Sequence, residues 1–265
     1  MRKIGISILS LVMLISVGCA QQEEPADEVN IAPFTGEETT GDITNRPVAV
    51  MVSNQTQARP QTGLSKADIV FEMLTEGNVT RFMAIYQSED PDVVGPVRSA
   101  REYFFDLAKG YDALYTYHGA ANFVNDLIQE KDIDYLNGAD HDDDGQLFVR
   151  EAFRKTPHNS YLQFGAVKGV AEDKGYDMEA DITPFTFLDK KEKVEGEEAD
   201  YVKVDYYGGN PIVEYEYDTT LDQYFRINDG EQTVELESEK PIMIDNLLIV
   251  EADHDVIDDE LRRCI

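Results

Sequence analysis

The chain has 265 residues, 53 of them acidic and 23 basic, for a net charge of −30. That balance argues against nucleic acid as a partner, because a phosphate backbone asks for a basic surface, and against long-range attraction to an anionic bilayer. A hydrophobic share of 42% argues against wholesale disorder, and the length allows one large domain or two small ones.

Residues 1–19 read as a targeting segment. Arg2 and Lys3 form a basic start, Ile4 to Val17 an apolar core, and Ser16-Val17-Gly18-Cys19 the end. The apolar run is short for a membrane span. A small residue followed by cysteine resembles the lipobox of bacterial lipoproteins, which implies cleavage before Cys19 and a lipid (diacylglycerol, palmitate) on it. Ser16 departs from that pattern, which usually has leucine there. An ordinary secretory signal or an uncleaved anchor are the alternatives. The other cysteine is Cys264, so the mature chain has no internal disulfide framework.

Residues 20–45 are acidic, polar and almost without large apolar side chains, which predicts a disordered tether. Val48-Ala49-Val50-Met51-Val52 is a continuous apolar run suited to a central strand. Asn54 to Lys66 reads as a loop carrying Arg59. Ile69 to Gln87 reads as a hairpin turning at Gly77-Asn78, a register that sets Met73 opposite Phe82 and Phe71 opposite Ala84. Gly95-Pro96 is turn chemistry, and Ser99 with Glu102 has capping-box spacing, so Ser99 is the expected N-cap of the next helix. Arg98 then precedes the cap and Arg101 falls in the first turn. Free N–H groups beside two guanidinium forks suit a carboxylate or a phosphate. Pairing of those arginines with the chain's own carboxylates is the alternative.

That helix carries Tyr103, Phe104 and Leu107 as an apolar stripe, and Phe123 to Lys131 and Ala166 to Lys174 read as two more helices. Beyond an acidic stretch, Glu192 to Asp200, the texture turns to β. Alternating runs start at Val202 and Ile212, Asp229-Gly230 is a hairpin signal, and Leu247 to Val250 is an apolar strand.

Arg46-Pro47-Val48-Ala49-Val50-Met51, Arg59-Pro60-Gln61-Thr62-Gly63-Leu64-Ser65-Lys66-Ala67-Asp68 and Gly95-Pro96-Val97-Arg98-Ser99-Ala100-Arg101 resemble the YerB-type lipoprotein family of Gram-positive bacteria. So do Thr80-Arg81-Phe82, Tyr117-His118-Gly119, Pro157-His158-Asn159-Ser160 and Val250-Glu251-Ala252-Asp253-His254. The resemblance runs from about Arg46 to the end. It implies an extracytoplasmic domain of unknown function, with an N-terminal α+β part and a C-terminal β part. It also implies further β structure past Val256 to Arg263, so the chain reads as truncated. The Asp140–Asp144 loop is richer in aspartate than the family pattern.

That loop, Asp140-His141-Asp142-Asp143-Asp144-Gly145 followed by Glu151, fits the EF-hand spacing, with Asp140, Asp142, Asp144 and Glu151 as Ca²⁺ ligands. A solvated loop is the alternative, since Asn137-Gly138 breaks the lead-in helix and no second hand exists. His118 and His158 lie in turns beside polar residues. With a carboxylate such as Glu72, a histidine such as His118 could do acid–base work on a glycan or peptide. Each histidine satisfying a buried backbone group is the alternative. No nucleophile-elbow, P-loop, zinc-protease or paired-cysteine motif is present.

The expected architecture is α+β. A signal peptide (1–19) and tether (20–45) precede an N-terminal mixed α/β domain with a central sheet (46–190), then a smaller antiparallel β-rich domain (191–265), truncated at its C-terminus. The expected function is a binding or scaffold module, lipid-anchored on the outer face of the cytoplasmic membrane of a Gram-positive bacterium. Its ligand residues are Arg59, Arg81, Arg98, Arg101, His118, His158 and Asn159, and its partners cell-wall peptide carboxylates or cell-wall synthesis proteins. A peptidoglycan-processing enzyme built on Glu72 or His118 with the arginines is the alternative.

Overall fold

The structure, a computed structural model, describes residues 29–188, 194–206, 208–209, 211–252, 256–258 and 263–264. Cys19 and the targeting segment lie outside the described residues. Among the described residues, no helix is long and apolar enough to cross a membrane.

In chain order the main elements are β1 (Asn30–Ile31), β2 (Glu38–Thr39), β3 (Val48–Ser53), β4 (Ile69–Thr75), β5 (Val79–Tyr86), β6 (Val93–Val94), α1 (Glu102–Gly110), β7 (Leu114–Tyr117), α2 (Asn122–Glu130), β8 (Tyr135–Asn137), β9 (Phe148–Arg150), β10 (Ser160–Gln163) and α3 (Val167–Asp173). The β-rich part follows with β11 (Tyr201–Asp205), β12 (Ile212–Asp218), β13 (Gln223–Asn228), β14 (Glu231–Gln232) and β15 (Met243–Ile244). A last short pair joins Val256–Asp258 to Arg263–Cys264.

The central sheet has five strands in the order β4-β5-β3-β7-β8. β3 runs antiparallel to β5 and parallel to β7, and α2 links β7 to its parallel neighbour β8. Successive side chains of a strand point to opposite faces, so the run from Val48 to Val52 feeds two cores at once. Val48, Val50 and Val52 pack with Phe82, Ala84 and Leu114 toward the three-stranded β6-β10-β9 sheet and α3. Ala49 and Met51 pack with Met83, Ile85 and Tyr115 under α1 and α2. The architecture is therefore an N-terminal mixed α/β part around a central sheet, followed by a smaller antiparallel part, β11-β12-β13-β14 with β15 also on β13.

Four expectations need correction. Residues 29–45 are not a free tether: Asn30 pairs with Thr39, Ala32 is buried, and Phe34 is buried against the helix-side core. Phe34 meets Tyr111 edge-on, 5.5 Å between centroids, so one aromatic anchors a segment whose composition is otherwise polar. The β4–β5 register is slipped by one residue. Met73 faces Arg81, Phe71 faces Met83 and Thr75 faces Val79. β5 is buried on both faces, so its apolar residues do not alternate and cannot report register.

Helix α1 starts at Glu102, with Arg101 as N-cap residue and no side-chain cap. Ser99 cannot cap it, because Val97 to Ala100 is an extended strap. Val97 N–H donates to the Ser160 carbonyl, Arg98 N–H to that of Met51, and Ala100 N–H to that of Gly119. Finally, Leu247 to Val250 is not a strand: Leu248 and Val250 are each 81% exposed, and no described strand lies beside them to pair with. An apolar run without a neighbour has no ladder to join.

Candidate functional site

The loop after β3, the β4–β5 hairpin tip and the β9–β10 loop surround a cleft of 840 Å³, with Pro211 and Asp229 of the β-rich part closing one side. The strap before α1 sits against it. Arg98 is fixed through its backbone, its N–H on Met51 and its carbonyl accepting the His118 N–H. The side chain then reaches the cleft wall, where Nη1 donates to the Pro157 carbonyl at 3.3 Å. Burial, then the neighbouring Arg101 charge, depress its pKa.

Arg81 lies behind it on β5, 6% exposed, with Nη1 on the Ser99 carbonyl at 2.5 Å. Burial, then Arg101 and Arg98, push its pKa down to about 10, so it stays charged at neutral pH. Arg101 is held differently. Its Nε and Nη2 grip Glu76 Oε1 and Oε2 at 2.6 and 2.7 Å. Burial opposes the charge on both partners, but the paired hydrogen bonds outweigh it, so the Glu76 pKa falls and the Arg101 pKa rises. The carboxylate that this helix start invites is thus supplied by the chain's own hairpin.

Arg59 stands on the cleft wall, with Nη1 on Asp229 at 2.7 Å and Nη2 on the Asn54 carbonyl at 2.8 Å. Arg154 donates to Tyr161 Oη at 2.8 Å, to the carbonyls of Gln57 and Arg59 at 2.8 and 3.1 Å, and to that of Pro60. It lies 5.5 Å from the Phe153 ring. His158 lines the same cleft, and its Nδ1 is buried with no hydrogen-bond partner among the described residues. Burial, then Arg98 and Arg154, lower its pKa, so the ring is neutral at pH 7.

His118 and Asn159 are beside the cleft and serve its frame. His118 Nδ1 lies 2.6 Å from Ser160 Oγ and Nε2 lies 3.1 Å from Arg150 Nη2. Arginine only donates, so Nε2 accepts and the proton is on Nδ1, aimed at Ser160. Burial, then Arg150, depress the His118 pKa, and Asp142 opposes them. Asn159 Oδ1 accepts from Arg150 Nη1 at 3.0 Å.

Both catalytic candidates are committed elsewhere. Ser160 beside His118 is 1% exposed. Glu72 is filled by Arg226 (2.7 and 3.1 Å), Thr80 (2.6 Å) and Asn54 (3.1 Å).

A Cβ on Gly138 would stand 2.4 Å from His118 Nδ1. Gly138→Ala is therefore expected to push the ring off Ser160 and cost about 1–3 kcal/mol by overpacking. NMR titration checks it: the depressed His118 pKa should move toward the ordinary histidine value. An unmoved titration would show that the ring stays seated.

The geometry of the acidic loop does not favour the calcium reading. Asp144 Oδ1 accepts the N–H groups of Gln146, Leu147 and Phe148 at 2.8, 2.9 and 3.2 Å, and Asp142 accepts Arg150 Nε at 2.6 Å. Among the described residues no group of three or more His, Cys, Asp or Glu could hold a metal ion. An EF-hand ring needs its oxygens turned inward, and this loop spends those of Asp142 and Asp144 on an arginine and a turn.

Arg81, Arg98 and Arg101 thus lie close together, His158 lies near Arg98, and Arg59 lines the same cleft as His158. The sequence reading missed Arg150 and Arg226, which no motif flags.

Protein of unknown function (DUF3048) N-terminal domain matches residues 34–177, and Protein of unknown function (DUF3048) C-terminal domain matches residues 202–265. The Bacillus subtilis (strain 168) protein named "Putative lipoprotein YerB" is 44% identical over 262 residues, covering 97% of this chain and 78% of its relative. The crystal structure of YerB protein from Bacillus subtilis matches at 45% identity with a TM-score of 0.79, over 88% of this chain and 78% of that one.

Proposed function

The chain belongs to the DUF3048 family, proteins of unknown function, and from that premise we propose that it is a lipid-tethered binding module of the cell envelope that holds an anionic group beside Arg98. The lipoprotein name of its relative and the lipobox-like Ser16-Val17-Gly18-Cys19 support a tether on Cys19, and with it a working position at the outer face of the cytoplasmic membrane. A carboxylate of the cell wall or of a wall-synthesis protein is the ligand group.

One observation carries the reading. Arg46, Arg59, Arg101, Arg150 and Arg226 each pair with a carboxylate of the chain. Arg81, Arg98 and Arg154 pair with none among the described residues, although 53 acidic side chains are available. Leaving guanidinium groups buried or half-buried without a paired carboxylate is costly, and a bound anion would offset that cost.

Purified peptidoglycan pelleted with the detergent-solubilised full chain tests it. Bound, uncut wall is the expected result, and released fragments would point to an enzyme instead. Arg98→Ala should weaken binding by roughly ten- to a hundredfold, the worth of a charge-assisted hydrogen bond of about 1.5–3 kcal/mol. Arg98→Lys should weaken it less, since it keeps charge and loses the fork. Arg98 makes one 3.3 Å side-chain bond, so both variants should melt close to the parent. Unchanged wall binding by Arg98→Ala would reject the site.

A further inference from the structure

The same cleft is lined by more than cations. Phe153 is 60% exposed on its wall, propped at 5.6 Å by Tyr161 from behind. An exposed aromatic ring in a polar cleft is a platform in search of a flat or C–H-rich face. Around it stand Gln55, Gln57, Asn78 and Thr156. None of those four side chains hydrogen-bonds within the described residues. Amides and hydroxyls both donate and accept. A bare carboxylate needs donors only, so this lining suits a ligand rich in hydroxyl groups, which also do both. The volume, 840 Å³, is within the range of clefts that enclose a small organic ligand. Arg154, Lys155 and His158 border the platform, and Arg98 reaches the adjoining Pro157.

We propose that the cleft takes an acidic saccharide, stacking one ring on Phe153, meeting its hydroxyls with the amide and hydroxyl side chains, and seating its anionic group between Arg98 and Arg154. This inference rests on the anion-binding reading above and specifies its ligand class. A peptide is the competing ligand class, and the tetraglutamate probe separates the two.

Calorimetric titration of the full chain in detergent tests it with four probes: oligogalacturonate, its methyl ester, glucose 6-phosphate and tetraglutamate. Oligogalacturonate, glucose 6-phosphate or both should bind, telling carboxylate from phosphate. The neutral ester should bind at least tenfold more weakly than oligogalacturonate, and tetraglutamate no better than the ester. Phe153→Ala, at an exposed position, should fold normally and lose at least fivefold in saccharide affinity. If tetraglutamate binds as tightly as the acidic saccharides and Phe153→Ala changes nothing, the saccharide class is wrong while the anion site stands. If the ester equals the acid, or no probe binds, the acidic-saccharide class is wrong, and wall pelleting with Arg98→Ala decides the anion reading separately.

Discussion

Arg226→Met is expected to lower the unfolding free energy by about 3–5 kcal/mol, because it strands a buried carboxylate. Arg226 on β13 and Glu72 on β4 have side chains only 6% and 7% exposed. Their two hydrogen bonds, 2.7 and 3.1 Å, form a fork across the junction of the two parts. Burial opposes the Arg226 charge, and the Glu72 carboxylate more than restores it, so its pKa is raised. The guanidinium also covers the Phe82 ring at 5.1 Å and reaches Thr233 Oγ1 at 2.8 Å. Methionine fills the stem and leaves Glu72 with the neutral partners Thr80, Asn54 and Tyr215 and no counter-charge. Urea denaturation reads the loss. Glu72→Met combined with Arg226→Met should recover much of it, since an apolar pair of similar volume carries no unpaired charge. A single-variant loss below about 1 kcal/mol would mean that water reaches the pair and screens it.

Phe105→Ala should cost about 3–5 kcal/mol, the usual range for emptying a buried aromatic position. Phe105 is fully buried, edge-on to Tyr115 at 6.1 Å, with Lys131 Nζ 5.4 Å from its ring. Tyr115 belongs to the central sheet, so the ring is one of the contacts through which α1 seats on β7. A fall in urea midpoint with an unchanged slope is the expected signature. A loss under about 1 kcal/mol would show that the helix resettles over the gap.

These two positions mark where sequence reading works and where it stops. The helix was legible from the spacing of Tyr103, Phe104 and Leu107, yet its buried residues are Phe104, Phe105 and Ala108. The stripe was right in period and incomplete: Tyr103 and Leu107 pack half-buried against the helix-side core, and Phe105 and Ala108 complete the face. The strap that consumes residues 97–100 is made by Ser160, Met51 and Gly119, none of them local. Arg98 was legible as a side chain delivered by a turn. Its neighbours' partners were not: Glu76 is 25 residues from Arg101, and Glu72 is 154 from Arg226. Charge alone could not choose among so many acids. The EF-hand spacing failed for the opposite reason. Spacing was correct, but carboxylates next to free N–H groups and Arg150 have nearer partners than a metal.

The junction between the two parts has a consequence for how such chains can be rearranged. Besides Glu72 and Arg226, the Glu235 carboxylate accepts the N–H groups of Gly63 and Ser65 at 2.7 and 3.1 Å, and Asn54 Nδ2 donates to Asn228 Oδ1 at 3.0 Å. An oily junction tolerates a foreign neighbour of roughly the right shape, whereas a polar one is keyed lock by lock. Gly63 sits at φ +85° with the Val93 carbonyl 2.6 Å from where a Cβ would be, so its loop has little freedom to re-aim at a substitute acceptor. The front and back halves are therefore a matched pair. A chimera that exchanged one half for that of a cousin would work only if the cousin carried the same carboxylate and the same guanidinium at these positions.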